Sequence, residues 1–259
     1  MTITNEVIEL NNHRLLNGDA TRKEDVSKLI GDSKINLLLT DPPYGINIVD
    51  INSETEDGKI TGTVGSPAAP RFKDAQGTVG TRGIVEPRRY KPILGDDKPF
   101  NPQHLLDLNI PSIIFGANNF SHELPNNSKW LVWFKKSNLN IKRNNFSDVE
   151  LCWTNLKGKA CYLYHHSWSG MLREGNRNEE LIERVHPTQK PVGLLEQIIL
   201  EFTEPGDIIL DLYGGSGSTL IACEKTDRKC FMMELSYDYC EIIEKRYWDY
   251  IGNGQTKLV

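Results

Sequence analysis

The feature that most constrains the fold is an apolar run that ends abruptly in an acid and two prolines. Segment 34–40 has the length of one buried strand, and the tetrapeptide Asp41-Pro42-Pro43-Tyr44 follows it directly. Neither proline can donate a backbone hydrogen bond, so no strand ladder continues past Thr40. Because ligands of open α/β sheets bind beyond the carboxyl ends of the strands, we expect a binding site here.

The chemistry of this tetrapeptide suits a planar substrate that carries an amino group. The carboxylate of Asp41 accepts hydrogen bonds, the prolines offer free carbonyl oxygens, and the ring of Tyr44 offers a flat face. A nucleobase has the matching properties. Asp-Pro also opens turns in many proteins, so the tetrapeptide alone leaves a purely structural interpretation open.

A second motif lies near the end of the chain, where the predicted strand 208–210 runs into a glycine-rich turn, Asp211 to Thr219, and then a helix. A glycine-rich turn between a strand and a helix lets a ligand approach the backbone closely. The next predicted strand, 229–234, ends in Glu234, at the distance where nucleotide-binding folds hold ribose hydroxyls. The spacing G-x-G-x-x-G is absent because Leu220 stands at the third glycine position. This weakens the interpretation of the chain as a nicotinamide-linked oxidoreductase.

The remaining periodicity predicts alternating strands and helices. A strand at 14–19 and a helix at 21–30 precede the strand that ends at Thr40, and such a unit implies parallel neighbours. We expect all of these elements to close one parallel sheet. Further strands are predicted at 113–116, 131–134 and 149–154, with helices at 102–108, after Pro191 and after Ser236.

Bulk properties limit the class of protein. The net charge of −5 over 259 residues counts mildly against a nucleic-acid partner unless local cations override it. None of the five cysteines forms a C-x-x-C pair, and no cluster has zinc-ligand spacing, so we expect no metal. The absence of a signal-peptide pattern and of a long apolar run predicts a cytoplasmic protein with reduced thiols.

Two groups of basic residues are candidate contacts to a phosphate backbone. One group lies in the irregular segment 45–100 and the other follows a core strand, and a solvated loop or hairpin tip is the alternative for each. The candidates are Arg82, Arg88, Arg89 and Lys91 in the first group, and Lys135, Lys136, Lys142 and Arg143 in the second.

Three motifs together resemble one enzyme family. Asp41-Pro42-Pro43-Tyr44, the loop Tyr213-Gly214-Gly215-Ser216-Gly217 and the segment 186–191 are similar to the motifs of beta-group DNA amino-methyltransferases, which use S-adenosylmethionine. The resemblance implies a single catalytic domain over 1–259. It implies an α/β fold with a Rossmann-like, circularly permuted sheet and helices on both faces, to which this chain adds a long irregular insertion after the tetrapeptide.

The chain departs from the family pattern in two respects. Tyr213 replaces the usual phenylalanine, and the long insertion follows Tyr44 instead of preceding His186. The segments 45–100 and 155–185 are therefore both candidate regions for DNA recognition or clamping.

The resemblance also implies roles for individual residues. Asp41 and the Pro42 carbonyl would act on the exocyclic N6 of an adenine flipped out of double-stranded DNA, with Pro43 shaping the turn and Tyr44 stacking on the base. A homodimer and a cognate restriction endonuclease are further expected partners. The expected cofactor residues are Asp19, Thr188, Lys190, Asp211, Tyr213, Gly214, Gly215, Gly217 and Glu234, where Asp19 could instead cap a helix and Lys190 could instead be solvated.

Three alternatives stay open at this level. Methylation of N4 of cytosine uses the same chemistry, although that branch tends to carry serine in place of Asp41. An oxidoreductase would leave the tetrapeptide unexplained. A DNA-binding module without catalysis would need no cofactor loop.

Overall fold

The computed structural model describes residues 4–46, 72–73, 79–80, 93–126, 129–136, 147–169, 172–173, 186 and 188–255. Within these ranges the main feature is one large mixed sheet. Its strands are β1 (Val7–Leu10), β2 (His13–Asn17), β3 (Leu37–Thr40), β6 (Ser112–Phe115), β7 (Trp130–Phe134), β8 (Val149–Thr154), β9 (Cys161–His165), β12 (Ile208–Asp211) and β13 (Lys229–Glu234). Their order across the sheet is β1-β2-β13-β12-β3-β6-β8-β7-β9.

Two short ladders lie outside this sheet. Strand β4 (Phe72–Lys73) pairs with β5 (Val79–Gly80), and β10 (Trp168–Ser169) pairs with β11 (Leu172–Arg173). The first ladder belongs to the irregular insertion and the second follows the edge strand β9.

Helices cover both faces of the sheet, as predicted. They are α1 (Lys23–Ile30), α2 (Gln103–Leu106), α3 (Val192–Phe202), α4 (Ser218–Lys225) and α5 (Tyr237–Gln255), and two 3-10 turns span Ala117–Asn119 and Ser121–Glu123. The apolar faces of α1 and α2 share one buried core, and those of α3, α4 and α5 share the other. Strand β3 serves both cores because its side chains alternate, Leu38 facing the first and Leu37 and Leu39 the second.

The direction of the strands decides where the site lies. Strands β2, β13, β12, β3 and β6 are parallel neighbours, so their carboxyl ends meet at one edge of the sheet. Strand β8 is antiparallel to both β6 and β7, and β1 is antiparallel to β2. The expectation of one wholly parallel sheet is therefore wrong at its two sides. The antiparallel β8 has a consequence for the site, because it brings its starting residues to the shared edge.

The polar stretch from 157 contains more regular structure than its composition indicates. Strand β9 pairs in parallel with β7 and forms an edge of the sheet, with Tyr164 buried and Leu163 exposed. An edge strand with one solvated face carries too few apolar residues to give a clear signal in sequence. None of the described helices has the length and apolar character needed to cross a bilayer.

Candidate functional site

The two motifs meet because their strands are neighbours in the sheet. Leu38 of β3 pairs with Leu210 of β12, so both strands reach the sheet edge side by side. Just beyond this pair, the hydroxyl of Thr40, two residues after Leu38, donates a 2.8 Å hydrogen bond to Oδ1 of Asp211, the residue after Leu210. Both residues are buried, and this bond fixes the end of the tetrapeptide strand against the start of the glycine-rich turn.

The glycine-rich turn follows a path that side chains would block. A Cβ at Gly214 would lie 2.7 Å from Cγ of Met232, so the close approach of the turn to β13 requires glycine. The Gly214 amide donates to the Met233 carbonyl at 2.8 Å and closes that approach. Gly217 takes a left-handed φ of 78° at the start of α4, where a side chain would be strained.

Glu234 is held by the backbone with both of its oxygens in use. The Gly215 amide donates to Oε2 at 2.8 Å and the Ser236 amide donates to Oε1 at 2.8 Å. Burial raises the pKa of this carboxyl to about 7, despite the amides that favour its charge. The carboxylate is thus oriented by backbone amides and lines the cavity, where a remaining lone pair can accept a ligand hydroxyl.

Asp211 is more deeply buried than Glu234. It accepts hydrogen bonds from Thr40 and from the Tyr213 amide, and its side chain lies beneath the glycine-rich turn. Burial raises its pKa to about 7, against the lowering effect of these donors. Two acids with raised pKa at neighbouring strand ends are typical of a functional site.

One cavity of about 660 Å³ runs along the shared edge of the sheet, a size suited to a small-molecule ligand. It brings together every predicted catalytic residue and all the predicted cofactor residues except Gly217. The members are Asp19, Asp41, Pro42, Pro43, Tyr44, Thr188, Lys190, Asp211, Tyr213, Gly214, Gly215 and Glu234. Gly217 instead packs against Ile243 of α5, where an added Cβ would lie 3.1 Å from the nearest isoleucine carbon.

Asp19 lines the cavity beyond Glu234 and also serves a local turn. Its Oδ1 accepts hydrogen bonds from the Thr21 amide at 2.9 Å and the Thr21 hydroxyl at 2.7 Å. Helix α1 begins later, at Lys23, and its capping residue Arg22 makes no side-chain cap. Asp19 therefore forms a turn before the helix and is not its cap.

An aromatic wall on the same side was not predicted. The ring nitrogen Nε2 of His104 lies 2.8 Å from the Tyr213 hydroxyl, and Phe100 packs edge-on against Tyr213 with ring centroids 5.9 Å apart. All three residues line the cavity. The pairing of the short helix α2 with the glycine-rich turn has no signal in the sequence.

The catalytic tetrapeptide is joined to a buried cluster of charges. Nζ of Lys190 lies 2.5 Å from Oδ2 of Asp41 and 2.8 Å from Oε1 of Glu150. The Tyr44 hydroxyl lies 2.5 Å from Oδ1 of Asp41 and 2.8 Å from Oε1 of Glu150, and it donates its one proton to one of them at a time. Lys190 is only 8% exposed, so the alternative of a solvated lysine is wrong.

Burial and pairing act against each other in this cluster. Burial raises the pKa of Asp41 above its ordinary value, although Lys190 draws it down. Burial would also raise the pKa of Glu150, but Lys190 and Lys135 bring it below its ordinary value. For Lys190 the effect of burial is outweighed by the two carboxylates, and its pKa is raised. The lysine is therefore charged, and Glu150 is the more readily ionised of the two acids.

Glu150 is a site residue that the sequence reading missed. It stands second in β8, a strand that runs antiparallel to β6, and so lies at the same edge as the carboxyl ends of the parallel strands. The only signal in sequence was an acid inside an otherwise apolar strand. Such an acid seldom stays buried without a cation beside it.

Asp96 was also missed. It is 3% exposed, and its Oδ1 accepts hydrogen bonds from the consecutive amides of Tyr44, Gly45 and Ile46 at 3.1, 2.9 and 3.2 Å. A Cβ at Gly45 would lie 2.4 Å from the Lys98 carbonyl oxygen. The end of the long insertion is therefore packed directly onto the chain that leaves the tetrapeptide.

The predicted basic contacts are only partly within the described residues. Lys136 is buried and paired with Asp148, and Lys135 lies 3.6 Å from Oε2 of Glu150, so neither is a free surface cation. The prediction that these two project toward a phosphate backbone is wrong for this structure, because nearby acids hold both. The other candidates lie outside the described residues and are Arg82, Arg88, Arg89, Lys91, Lys142 and Arg143. The described part of the chain contains no group of acids, histidines and cysteines able to hold a metal ion.

Comparison with known proteins shows the family of the chain. The profile of a family described as DNA methylase matches residues 87–245. The chain belongs to this family. That match begins inside the insertion and includes Glu150, Lys190 and the glycine-rich turn.

Individual relatives are more distant. The chain is 29% identical over 150 residues to the Type II methyltransferase M2.DpnII of Streptococcus pneumoniae, covering 53% of this chain and 56% of the relative. It is 24% identical over 286 residues to the Type II methyltransferase M.Cfr9I of Citrobacter freundii, covering 93% and 89%. The crystal structure of the M1.HpyAVI–SAM complex is 23% identical, covers 90% of this chain and 98% of that one, and gives a TM-score of 0.47. The first curated relatives are matched over only about half of their length.

The first prediction concerns the ring of Tyr44, which packs against Gly116. Gly116 has a φ of 66°, and a Cβ there would lie 1.9 Å from Cε1 of Tyr44. Gly116→Ala should cost the strain of a left-handed residue, about 1–2 kcal/mol, plus displacement of the ring. Gly206→Ala is the matched control, because Gly206 has a φ of 87° with nothing near its Cβ position. Equal losses in urea unfolding would show that the ring is not clamped.

The second prediction concerns the hydrogen bonds by which Asp96, at the end of the insertion, holds the chain that leaves the tetrapeptide. Asp96→Ala removes three hydrogen bonds to a carboxylate, and each such bond contributes about 1.5–3 kcal/mol. Amide exchange at residues 44–46 should therefore accelerate by at least about tenfold. Asp97→Ala, which removes the exposed neighbouring acid, should leave these amides at their wild-type rates. Unchanged exchange in the Asp96 variant would show that these hydrogen bonds do not hold residues 44–46.

The third prediction follows from the raised pKa of Asp211. Between the ordinary aspartate value of about 4 in the unfolded chain and about 7 in the folded protein, the folded state holds the extra proton. The free energy of unfolding of the ligand-free protein should thus fall as the pH rises through this window. Asp211→Asn should flatten that slope, leaving the parts due to Glu234 and Asp41, whereas Asp32→Asn at an exposed turn should not. Thermal unfolding from pH 4.5 to 8 measures the difference, and identical slopes would exclude the effect.

Proposed function

We propose that the protein is a site-specific DNA methyltransferase that transfers a methyl group from S-adenosylmethionine to N6 of adenine. The observation that carries this proposal is the single cavity lined by the Asp41 tetrapeptide and by the glycine-rich turn with Glu234. The hydrogen bond from Thr40 to Asp211 fixes the two halves of that cavity against each other. Membership in a DNA methylase family and the methyltransferase names of the relatives support the same reaction.

The residues of the cavity fit this cofactor. Glu234 is oriented by the Gly215 and Ser236 amides and lines the cavity, where it would accept a hydrogen bond from the ribose. The glycine-rich turn with Asp211, Tyr213, Gly214 and Gly215 would surround the methionine moiety, with Gly217 setting the start of α4. Asp19 would lie toward the adenine end, and Thr188 toward the methionine carboxylate. Lys190 would not contact the methionine carboxylate, because its ammonium is turned to Asp41.

Asp41 would act on charge that appears only during the reaction. S-adenosylmethionine, when bound, supplies a methyl group activated by a positively charged sulfur. The adenine amine is a poor nucleophile, and its nitrogen becomes positive as it attacks. The Asp41 carboxylate and the Pro42 carbonyl would accept the amine hydrogens and stabilise that charge, which is how preorganised acceptors lower a barrier. Pro43 would keep the turn rigid, and Tyr44 would stack on the base.

The target base must leave the duplex to reach these groups, because a base stacked and paired within a duplex cannot place its amine inside a cavity. Double-stranded DNA is the proposed partner, and the basic residues of segment 45–100 remain our candidates for holding it. Segment 155–185 is the second candidate region for recognition. We retain a homodimer, a cognate restriction endonuclease and a cytoplasmic location as proposals, which sedimentation and co-expression would test.

Cytosine N4 is the second candidate target. The chemistry at the amine is the same, and Asp41 favours adenine only through the family pattern. Mass spectrometry of nucleosides from DNA treated with the protein separates the two products. N6-methyladenine is the expected product, and N4-methylcytosine alone would replace the proposal with its alternative.

The fourth prediction tests the role of Asp41. Asp41→Ala should reduce methyl transfer by about 100-fold or more, because the lost acceptor acts on the transition state. Binding of S-adenosylmethionine, measured by calorimetry, should stay near the wild-type value. Asp32→Ala, at an exposed turn, serves as the control for both measurements. Near wild-type transfer in the Asp41 variant would remove this residue from the mechanism.

A further inference from the structure

The acceptor that the proposed reaction needs is already occupied in this structure. One oxygen of Asp41 faces the Lys190 ammonium at 2.5 Å and the other faces the Tyr44 hydroxyl at 2.5 Å. Each oxygen has a second lone pair, but an amine nitrogen that becomes positive beside Asp41 would lie next to the Lys190 ammonium, and like charges at short range destabilise each other. Lys190 is the donor that resembles the substrate, because it presents a positively charged nitrogen where the amine nitrogen would become positive.

Glu150 gives Lys190 a second place to bind. Its Oε1 lies 2.8 Å from Nζ of Lys190, so the ammonium bridges the two carboxylates. Lys135 lies on the other side of Glu150, at 3.6 Å from Oε2. Two acids and two lysines thus balance in charge, and Lys190 can leave Asp41 without becoming an unpaired buried cation.

We propose that Lys190 is a positioning residue that keeps Asp41 ionised and oriented in the free protein, yields it to the target amine, and is retained by Glu150. The inference deepens the proposed function and rests on it for the part that involves the amine. Lys190 takes no part in bond making, and no proton leaves it. The neutral amine takes the place of the ammonium on Asp41, its nitrogen gains the positive charge that the sulfonium loses with its methyl group, and the proton that the methylated amine releases passes to Asp41 or to water.

The need for such a residue follows from the surroundings of Asp41. Burial raises the pKa of the Asp41 carboxyl, and Lys190 is the cation that opposes this effect. Among the described residues, the titratable groups that face it are Tyr44, Lys135, Glu150, Cys152, Lys190 and Asp211. Without Lys190, burial and the neighbouring Glu150 carboxylate act on Asp41 with less opposition, so its pKa rises further and the protonated carboxyl, a poorer acceptor, is favoured.

The first test does not depend on activity. The carboxyl resonance of Asp41 is followed by carbon-13 NMR across pH in protein labelled at aspartate, and Asp41→Asn identifies the signal. Lys190→Met should move the titration of Asp41 upward by about one to three pH units, the usual effect of one nearby opposite charge. Lys190→Arg should restore most of the wild-type titration. Lys225→Met, which removes a lysine paired with Glu196 in the helices α4 and α3, is the control.

The second test uses single-turnover methylation of DNA as a function of pH. In Lys190→Met the acidic limb of the rate should move upward with the Asp41 titration, so that at a pH well below the limb the rate falls about tenfold for each unit moved. Glu150→Gln leaves Lys190 paired with Asp41 alone, so it should lower the rate without moving the acidic limb upward. A merely structural role would lower both rates and leave the limb in place.

The outcomes separate the two proposals. An Asp41 titration that does not move in Lys190→Met overturns the positioning role, whatever the activity. A titration that moves as expected in a protein that methylates no DNA supports the role of Lys190 on Asp41 and overturns the proposed function with the amine exchange. Faster methylation in Glu150→Gln would overturn the role of Glu150 in retaining the lysine.

Discussion

The structure depends on the parallel pairing of β3 with β12 at the centre of the sheet. Thr40 and Asp211 are 171 residues apart in the chain, and only this pairing brings them within hydrogen-bond distance. Every other feature of the cavity is arranged around that contact. The glycine-rich turn leaves from one strand, the tetrapeptide leaves from the other, and the flanking strands β13 and β6 add Glu234 and the turn at Gly116. The early motif and the late motif are therefore one site.

The charges of this site have a common physical logic. Asp41, Asp211 and Glu234 line a single cavity, and burial raises the pKa of each of them. Acids in a low-dielectric cavity are ionised more readily when a cation is present. A methyl donor with positive sulfur would provide one such cation, and an amine under methylation would provide another. The cavity is thus poorly stabilised when it is empty and better stabilised in the presence of positively charged ligands.

The sequence predicted the parts of the site that follow from strand ends and local turns. Asp41, Asp211 and Glu234 each close an apolar run, and glycines mark the turn, so their positions could be read without a structure. The place of Glu150 in the site could not be predicted, because the periodicity of apolar residues does not tell whether β8 runs parallel or antiparallel to β6. Asp96 could not, because it reaches the tetrapeptide from a segment without periodicity. Lys135 and Lys136 were read as surface cations because their acidic partners come from β8 and from the turn before it.

The position of Asp96 connects the insertion to the chemistry. The chain leaves the described site at Ile46 and returns at Ile93, and the two ends are held together by three hydrogen bonds to one buried carboxylate. The first of these bonds is to the amide of Tyr44, whose ring lies on Gly116 and whose hydroxyl joins Asp41 and Glu150. A displacement of the ends of the insertion would therefore be transmitted to the tetrapeptide through these hydrogen bonds. If the insertion contacts DNA, as we propose, this geometry links the contact directly to the residues that would receive the target base.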